Sequence, residues 1–312
     1  MKQPGMRDCA EAPCLENQWM MKRLVTVMLA LILSLAPVSM LAQDQAPSRP
    51  NIVFFYADDL GYGDLACYGS ELAQTPRLDQ LTAEGTRFTQ FYVSHCVCSP
   101  TRVSAITGHF PGRHRIYGHI AHFSTNRKRQ MPDWLDVAAP SFPRALQEAG
   151  YRTVMIGKWH LGGGSGRTFR VSDLKTPGID TSSRTEIVIN HPDAPPVVDY
   201  GFHYARTSVG NSPTWKHLER WPEPHDIYTY LDQEWLTFSS KVIADDAIEF
   251  IDSHARQHEK PEPFYMNLWF KDVHTPHRPT AEMLAPFAEL PEKVRDHYAM
   301  VRYMDEQIGR VI

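Results

Sequence analysis

A chain of 312 residues, 42% hydrophobic and 22% charged, is long enough to bury a large core as one big domain or two. Its net charge of -4 at pH 7 offers no basic face, which argues against a nucleic-acid partner. Nothing in the composition points to disorder or internal repeats.

Residues 1–19 fit no pattern and read as an upstream extension. Met20-Met21-Lys22-Arg23 then precede an apolar run from Leu24 to Ala36, Pro37 and a small-residue exit near Ala42. A positive start, an apolar core too short to span a bilayer and an alanine exit predict a secretory signal peptide over residues 20–42. An exported protein is therefore expected, periplasmic or extracellular, with no stable membrane anchor. The alternative, an uncleaved anchor helix, is opposed by the short run and by Pro37. Residues 43–50 read as a linker and 51–312 as the folded domain. Of the five cysteines, Cys9 and Cys14 precede the signal. Cys67 and Cys96 could pair in an oxidising compartment or remain buried thiols, and the sequence leaves both open.

Asn51-Ile52-Val53-Phe54-Phe55-Tyr56, between a proline and a turn, reads as a buried strand. It delivers Asp58 and Asp59 just past its carboxyl end, where open α/β sheets place ligands. Thr75-Pro76 reads as an N-cap with proline at the first helical position, and Gly85 closes that helix. A second strand is expected at about Thr86 to Val93. It leads into His95-Cys96-Val97-Cys98-Ser99-Pro100-Thr101-Arg102, where Pro100 places Cys98 at the start of a helix running to about Thr107. Backbone amides there favour a nearby anion.

Ser141 to Ala149 predicts another helix, closed by Gly150, and Arg152 to Gly157 a strand that presents Lys158-Trp159-His160-Leu161-Gly162. Gly163 to Tyr200 turns to glycine, proline and polar residues, the texture of a surface insertion that could shape a substrate pocket. A helix near Ser240 to His258, a strand from Pro263 to Phe270 and the run Lys271-Asp272-Val273-His274-Thr275-Pro276-His277 follow. Glu292 to Ile312 spaces Val294, Tyr298, Val301, Met304 and Ile308 as one helical face. Strands alternating with helices predict an α/β fold, a mostly parallel central sheet with helices on both faces.

By residue type alone, Asp58 and Asp59 are either a hard oxygen pair for calcium or magnesium or a charged turn. Cys96 and Cys98 form a C-x-C pair that could be a disulfide or half of a metal site, although no second pair follows. A K-W-H run is commonly a surface lysine beside a packed aromatic, and His119 and His122 could reach a substrate or simply pack on the surface, the plainer reading being preferred.

Cys98-Ser99-Pro100-Thr101-Arg102, with Thr107-Gly108 after an apolar half-turn, resembles the signature of type I sulfatases, a formylglycine-dependent family of the alkaline phosphatase superfamily. In that family the cysteine is oxidised to Cα-formylglycine by a formylglycine-generating enzyme that reads the positions held here by Cys98, Pro100 and Arg102. A serine would be left as a slowly hydrolysed alkyl sulfate, whereas a hydrated aldehyde has two geminal hydroxyls, one to attack sulfur and one to expel sulfate. The opening N-I-V-F-F-Y-A-D-D-L-G-Y-G-D and the runs G-K-W-H-L-G and D-V-H-T-P resemble further family motifs, in the family's order.

The resemblance implies calcium held by Asp58, Asp59 and the formylglycine oxygen at Cys98. Arg102 would hold the hydrated aldehyde, Lys158 would bind sulfate oxygens, and His160 would take the proton on elimination. His274 would bind substrate and act as general acid to the leaving group, with His277 as its competitor three residues on. The expected activity is hydrolysis of sulfate esters, with a sulfated small molecule or glycan as substrate. The alternatives are a phosphate or phosphonate ester hydrolase on the same fold, or an inactive protein that binds sulfated glycans. The resemblance covers Pro50 to Ile312 as an incomplete N-terminal catalytic domain. An Asp-Asn pair, a further lysine and a C-terminal subdomain of the family have no counterpart within it. Two readings follow, a fragment of a longer gene product or a truncated, inactive protein.

Overall fold

The computed structural model describes residues 49–121, 123–162, 168–170, 186–188, 193–208, 233–257 and 262–312, with backbone alone for 168–170, 186–188 and 233–236. The expected extension and signal peptide, His122 and most of the expected insertion lie outside the described residues.

Six strands are described: β1 Ile52–Tyr56, β2 Arg152–Lys158, β3 Thr168–Arg170, β4 Glu186–Val188, β5 Tyr204–Ser208 and β6 Phe264–Trp269. Four of them form a sheet in the order β1-β6-β2-β5 in which every pairing is parallel, while β3 and β4 pair antiparallel in a separate two-stranded sheet. The helices are α1 Pro76–Glu84, α2 Cys98–Thr107, α3 Phe123–Lys128, α4 Phe142–Glu148, α5 Gln233–Gln257, α6 Ala281–Leu284 and α7 Glu292–Val311.

Side chains along a strand alternate between faces, and the core follows that alternation. Met155 and Tyr265, with Phe54 and Tyr56 beside them, pack against Val103 and Ile106 of α2 on one face. Val154, Ile156, Met266 and Leu268 pack on the other face against Ile243 and Ala247 of α5 and Met304 and Ile308 of α7. The parallel sheet with helices on both faces is the predicted architecture, but β1, expected to be buried, is half-buried along its whole length because it pairs only with β6 among the described strands. Pro50–Ile312 forms a compact unit. Among the described residues no helix is long and apolar enough to cross a membrane.

Two local expectations need correction. Thr86 to Val93 is not a strand: all eight residues are exposed and carry no regular structure. Its β-branched and aromatic residues have the propensity, but a strand needs a ladder partner, and none of the described strands pairs with it. Thr75 does occupy the N-cap position with Pro76 first in α1, as expected, but its side chain makes no capping hydrogen bond. Its hydroxyl accepts from the Ala66 amide at 3.1 Å and donates to Asp79 Oδ1 at 3.3 Å. The α1 amides of Arg77 and Leu78 donate instead to the Asp305 carboxylate of α7, at 3.1 and 2.8 Å. Among the described residues Cys67, Cys96 and Cys98 are free thiols, and neither Cys67, half-buried, nor Cys96, exposed, is the buried thiol that was the alternative to a disulfide.

Candidate active site

The carboxyl ends of β1, β6 and β2 are brought level by their register, in which Trp269 of β6 stands opposite both Tyr56 and Gly157. Gly157 has a φ of +106°, and a Cβ there would collide with the Trp269 carbonyl, so only glycine lets the strands approach. Asp58, just past β1, is locked to the segment after β6. Its amide donates to the Asp272 carbonyl at 2.9 Å, and the Val273 amide donates to its own carbonyl at 2.7 Å. Asp59 follows with a φ of 60° and His160, after β2, with a φ of 52°. Non-glycine residues seldom adopt the left-handed region, and both stand where the chain must turn side chains onto one edge.

Asp58 is the hub. Only 4% exposed, it accepts from Lys158 Nζ through Oδ2 and lies 3.5 Å from Arg102 Nη2 through Oδ1. Burial acts to raise its proton affinity, but Lys158 and Arg102 outweigh it and hold the carboxyl below its ordinary range. Lys158 is fully buried, and loss of water lowers its proton affinity, with Asp58 opposing. Arg102 reaches across from the first turns of α2. Its Nη1 donates to the Lys158 carbonyl at 2.5 Å, and its guanidinium sits 5.2 Å from the Tyr56 ring centre and 5.0 Å from that of Trp269. Two cations and one carboxylate leave the cluster net positive, the sign an anionic ester requires.

Cys98 is the first residue of α2, as Pro100 predicts. Burial pushes its thiol up from the ordinary value, with Lys158 opposing. A thiol so placed is a weak thiolate nucleophile. Its neighbour Ser99 fixes the wall beside it by donating to the His160 carbonyl at 2.7 Å and accepting from the Ile120 amide at 2.9 Å. His160 Nε2 donates to the Ile120 carbonyl at 3.1 Å, while its buried Nδ1 makes no hydrogen bond. Burial, then Lys158 and Arg102, push its proton affinity well below the ordinary value, so the ring is neutral. Nδ1 is therefore the basic nitrogen. His274 Nδ1 donates to the Thr275 carbonyl at 2.6 Å, and its Nε2 lies 3.6 Å from Asp59 Oδ2.

The structure thus gathers Asp58, Asp59, Cys98, Arg102, Lys158, His160 and His274. His277 turns away: its Nε2 donates to the Val273 carbonyl at 2.8 Å and its ring packs 5.5 Å from that of His297. Two residues passed over in the sequence, Lys271 and Ser208, belong to the same edge, as does His119, for which the surface reading was preferred. Lys271 is fully buried, donates to the His274 carbonyl at 2.8 Å and lies 3.8 Å from Asp272. Ser208, at the end of β5 in register with Lys158, is buried with a hydroxyl that makes no hydrogen bond. The His119 ring lies 6.3 Å from that of His160, and burial, Arg129, Lys158 and His274 lower its proton affinity.

For a hard divalent cation, the Asp58 and Asp59 carboxylates are suitable donors by type, although both Asp58 oxygens are engaged here by Lys158 and Arg102 and would be shared with an ion. Among the described residues, however, no group of three or more histidine, cysteine, aspartate or glutamate side chains is arranged to hold a metal. The pair fits as part of a coordination shell that calcium fills with six to eight oxygens.

A family model described as Sulfatase matches residues 50–312. Human arylsulfatase A is 45% identical over 125 residues, covering 40% of this chain and 24% of that protein. Human N-acetylgalactosamine-6-sulfatase is 30% identical over 273 residues, 86% of this chain and 47% of that protein. The chain spans about half the length of the latter and about a quarter of the former. In fold, it is similar to the crystal structure of Ps i-CgsB in complex with k-i-k-neocarrahexaose, with a TM-score of 0.57 at 23% identity over 85% of this chain and 54% of that one. It is also similar to phosphonate monoester hydrolase of Agrobacterium radiobacter, with a TM-score of 0.52 at 17% identity over 84% of this chain and 58% of that one.

Proposed function

The chain belongs to the sulfatase family, and from that premise we propose that it hydrolyses sulfate esters of carbohydrates as an exported enzyme. The observation that carries the reading is the buried cluster of Asp58, Arg102 and Lys158 around the helix start at Cys98. Oxidised to Cα-formylglycine by a formylglycine-generating enzyme, Cys98 would supply a hydrated aldehyde to attack sulfur and afterwards release sulfate. The raised proton affinity of the unmodified thiol supports a role other than thiolate attack.

Asp58 and Asp59 would hold calcium, whose charge would offset that of the sulfate oxygens. Lys158 binds sulfate oxygens from the floor of the site, with Arg102 clamped by its carbonyl contact to hold the group at position 98. Both cations are already held by Asp58 and the Lys158 carbonyl, so their field would be in place as charge develops. His160 Nδ1, unpaired and basic, accepts the proton given up at position 98. His274 has its Nδ1 proton held by the Thr275 carbonyl, which leaves Nε2, beside Asp59, as the nitrogen for the leaving group; with the ring as imidazolium, Nε2–H would pass its proton to the leaving alcohol oxygen and the ring would return to neutral. The k-i-k-neocarrahexaose bound in the Ps i-CgsB complex and the name of N-acetylgalactosamine-6-sulfatase support the choice of sulfated carbohydrate.

The test is mass spectrometry of the Cys98 peptide from a host with the converting enzyme, together with turnover of matched aryl sulfate and aryl phosphate. Aldehyde at position 98, sulfate preference and loss of activity in Cys98→Ala are expected. An intact thiol in active material would overturn the reading. Preference for phosphate would favour a phosphate or phosphonate ester hydrolase instead.

A further inference from the structure

At the opposite end of α2 from Cys98, two imidazoles face each other. His109 Nδ1 lies 3.3 Å from His114 Nε2, and the ring planes are 18° apart. We propose that His109 and His114 form a binding site for a borderline divalent cation of the zinc class, with solvent completing the shell.

The separation of the two nitrogens is the first support. Zinc–nitrogen bonds of about 2.0–2.1 Å at the tetrahedral angle place two nitrogens about 3.3–3.4 Å apart. In the metal-free chain this contact is a hydrogen bond between the rings, so an entering cation would take the place of the shared proton, which moves to the other nitrogen of the donating ring, and both lone pairs would turn onto the ion. The second support is the way the backbone holds each ring. The His109 amide donates to Thr107 Oγ1 at 3.1 Å, and its carbonyl accepts from Ser104 Oγ at 2.7 Å. Ser104 Oγ in turn accepts from Ser94 Oγ at 2.7 Å. His114 ends the tight turn Pro111–His114, whose first residue is buried and which is closed by Arg115 in the left-handed region. Neither ring depends on a long flexible stem, so holding both costs little entropy.

The third support is charge. His109 follows Gly108, the cap of α2, and so stands at the negative end of that helix. Asp136 faces His114 with a negative charge, while Arg113 beside it opposes a cation. Burial and the neighbouring His109 favour neutral His114, the form that ligates. Both rings are half-buried, which leaves room for water as the remaining ligands. A bound ion would tie the last turn of α2 to the following turn and so brace the helix that presents Cys98 and Arg102.

The test is zinc titration of the whole chain by calorimetry, with cobalt as a visible probe of tetrahedral nitrogen ligation, in the native sequence and in His109→Gln and His114→Gln. Removing an outer-sphere partner alone weakens metal binding by about 10- to 100-fold, and loss of a ligand should cost at least that. Each variant is therefore expected to lose one zinc equivalent or bind it about tenfold more weakly, with His119→Gln unchanged. Should a variant fold poorly, imidazole nitrogen resonances of the native chain give the same answer, since those of His109 and His114 should shift on zinc addition. Equal zinc binding in all variants, or resonances that zinc leaves in place, would overturn the proposal.

Discussion

At the scale of single residues, the site is a problem of buried charge. Burying a lysine, an arginine and an aspartate costs several kcal/mol per ion before their attraction is counted. The sequence accepts that cost at Asp58, Arg102 and Lys158, all of which have an exposure of 4% or less. A hydrophobic trio of the same volume would pack as well or better, so the arrangement is better explained by anion chemistry than by stability. The same burial makes His160 a pH-sensitive group. Its folded-state proton affinity is well below that of the unfolded chain, so as pH falls through about 6.5 the unfolded state takes up the proton first. Stability tied to the neutral ring is complete above that value and is lost toward acid. The proton affinities of the half-buried His114 and His277 and of the more exposed His119 and His203 are lowered in the same direction, chiefly by partial desolvation. Stability from urea melts between about pH 7 and about pH 5 should therefore fall less steeply in His160→Gln than in the native chain. Parallel curves would show that His160 takes up a proton in the folded state as readily as in the unfolded one.

At the scale of elements, α1 and α7 are joined by a substitution of roles. The orphan amides at the start of a helix need acceptors, and Thr75, the residue with the sequence signature of a cap, is engaged elsewhere. Asp305, fully buried on α7, accepts from Arg77 and Leu78 and ties the two helices together. Asp305→Ala strands two amides and should lower unfolding free energy by about 1–3 kcal/mol in denaturant melts, with Asp305→Asn retaining part of it. An unchanged midpoint in the alanine variant would mean that water satisfies α1. A long-range cap of this kind is invisible in sequence because donor and acceptor are separated by more than two hundred positions. By contrast, β1, β2, β6 and α2 were legible because short apolar runs are punctuated by proline or glycine. Cys98, Lys158, His160 and His274 stood out only through the resemblance of their motifs, since by residue type alone the K-W-H run read as a surface lysine, whereas Lys158 is fully buried. Ser208 did not stand out, since its place beside Lys158 exists only through the pairing of β2 with β5. Thr86 to Val93 failed for the converse reason: the local pattern was right for a strand, while pairing is not a local property.

At the scale of the whole unit, that same segment shapes the open side of the sheet. β1 pairs with β6 alone among the described strands, and all five of its residues are only half-buried. Parallel sheets are ordinarily covered, and a free edge presents unpaired amides and carbonyls to any passing strand. A cavity of about 800 Å³ runs between residues 54–61 and residues 91–98, and beside it Phe91 and Tyr92 are 72% and 79% exposed. Phe88 and Val93 add to the same apolar surface. Together an open edge and exposed aromatics predict that the isolated chain self-associates. In sedimentation velocity, the weight-average mass should rise with concentration. It should persist at high salt, which screens charge contacts but not apolar ones. Phe91→Lys with Tyr92→Lys should shift the chain toward monomer by placing two like charges beside the edge. A native chain that stays monomeric at every concentration would show that the cavity walls close over β1 in solution.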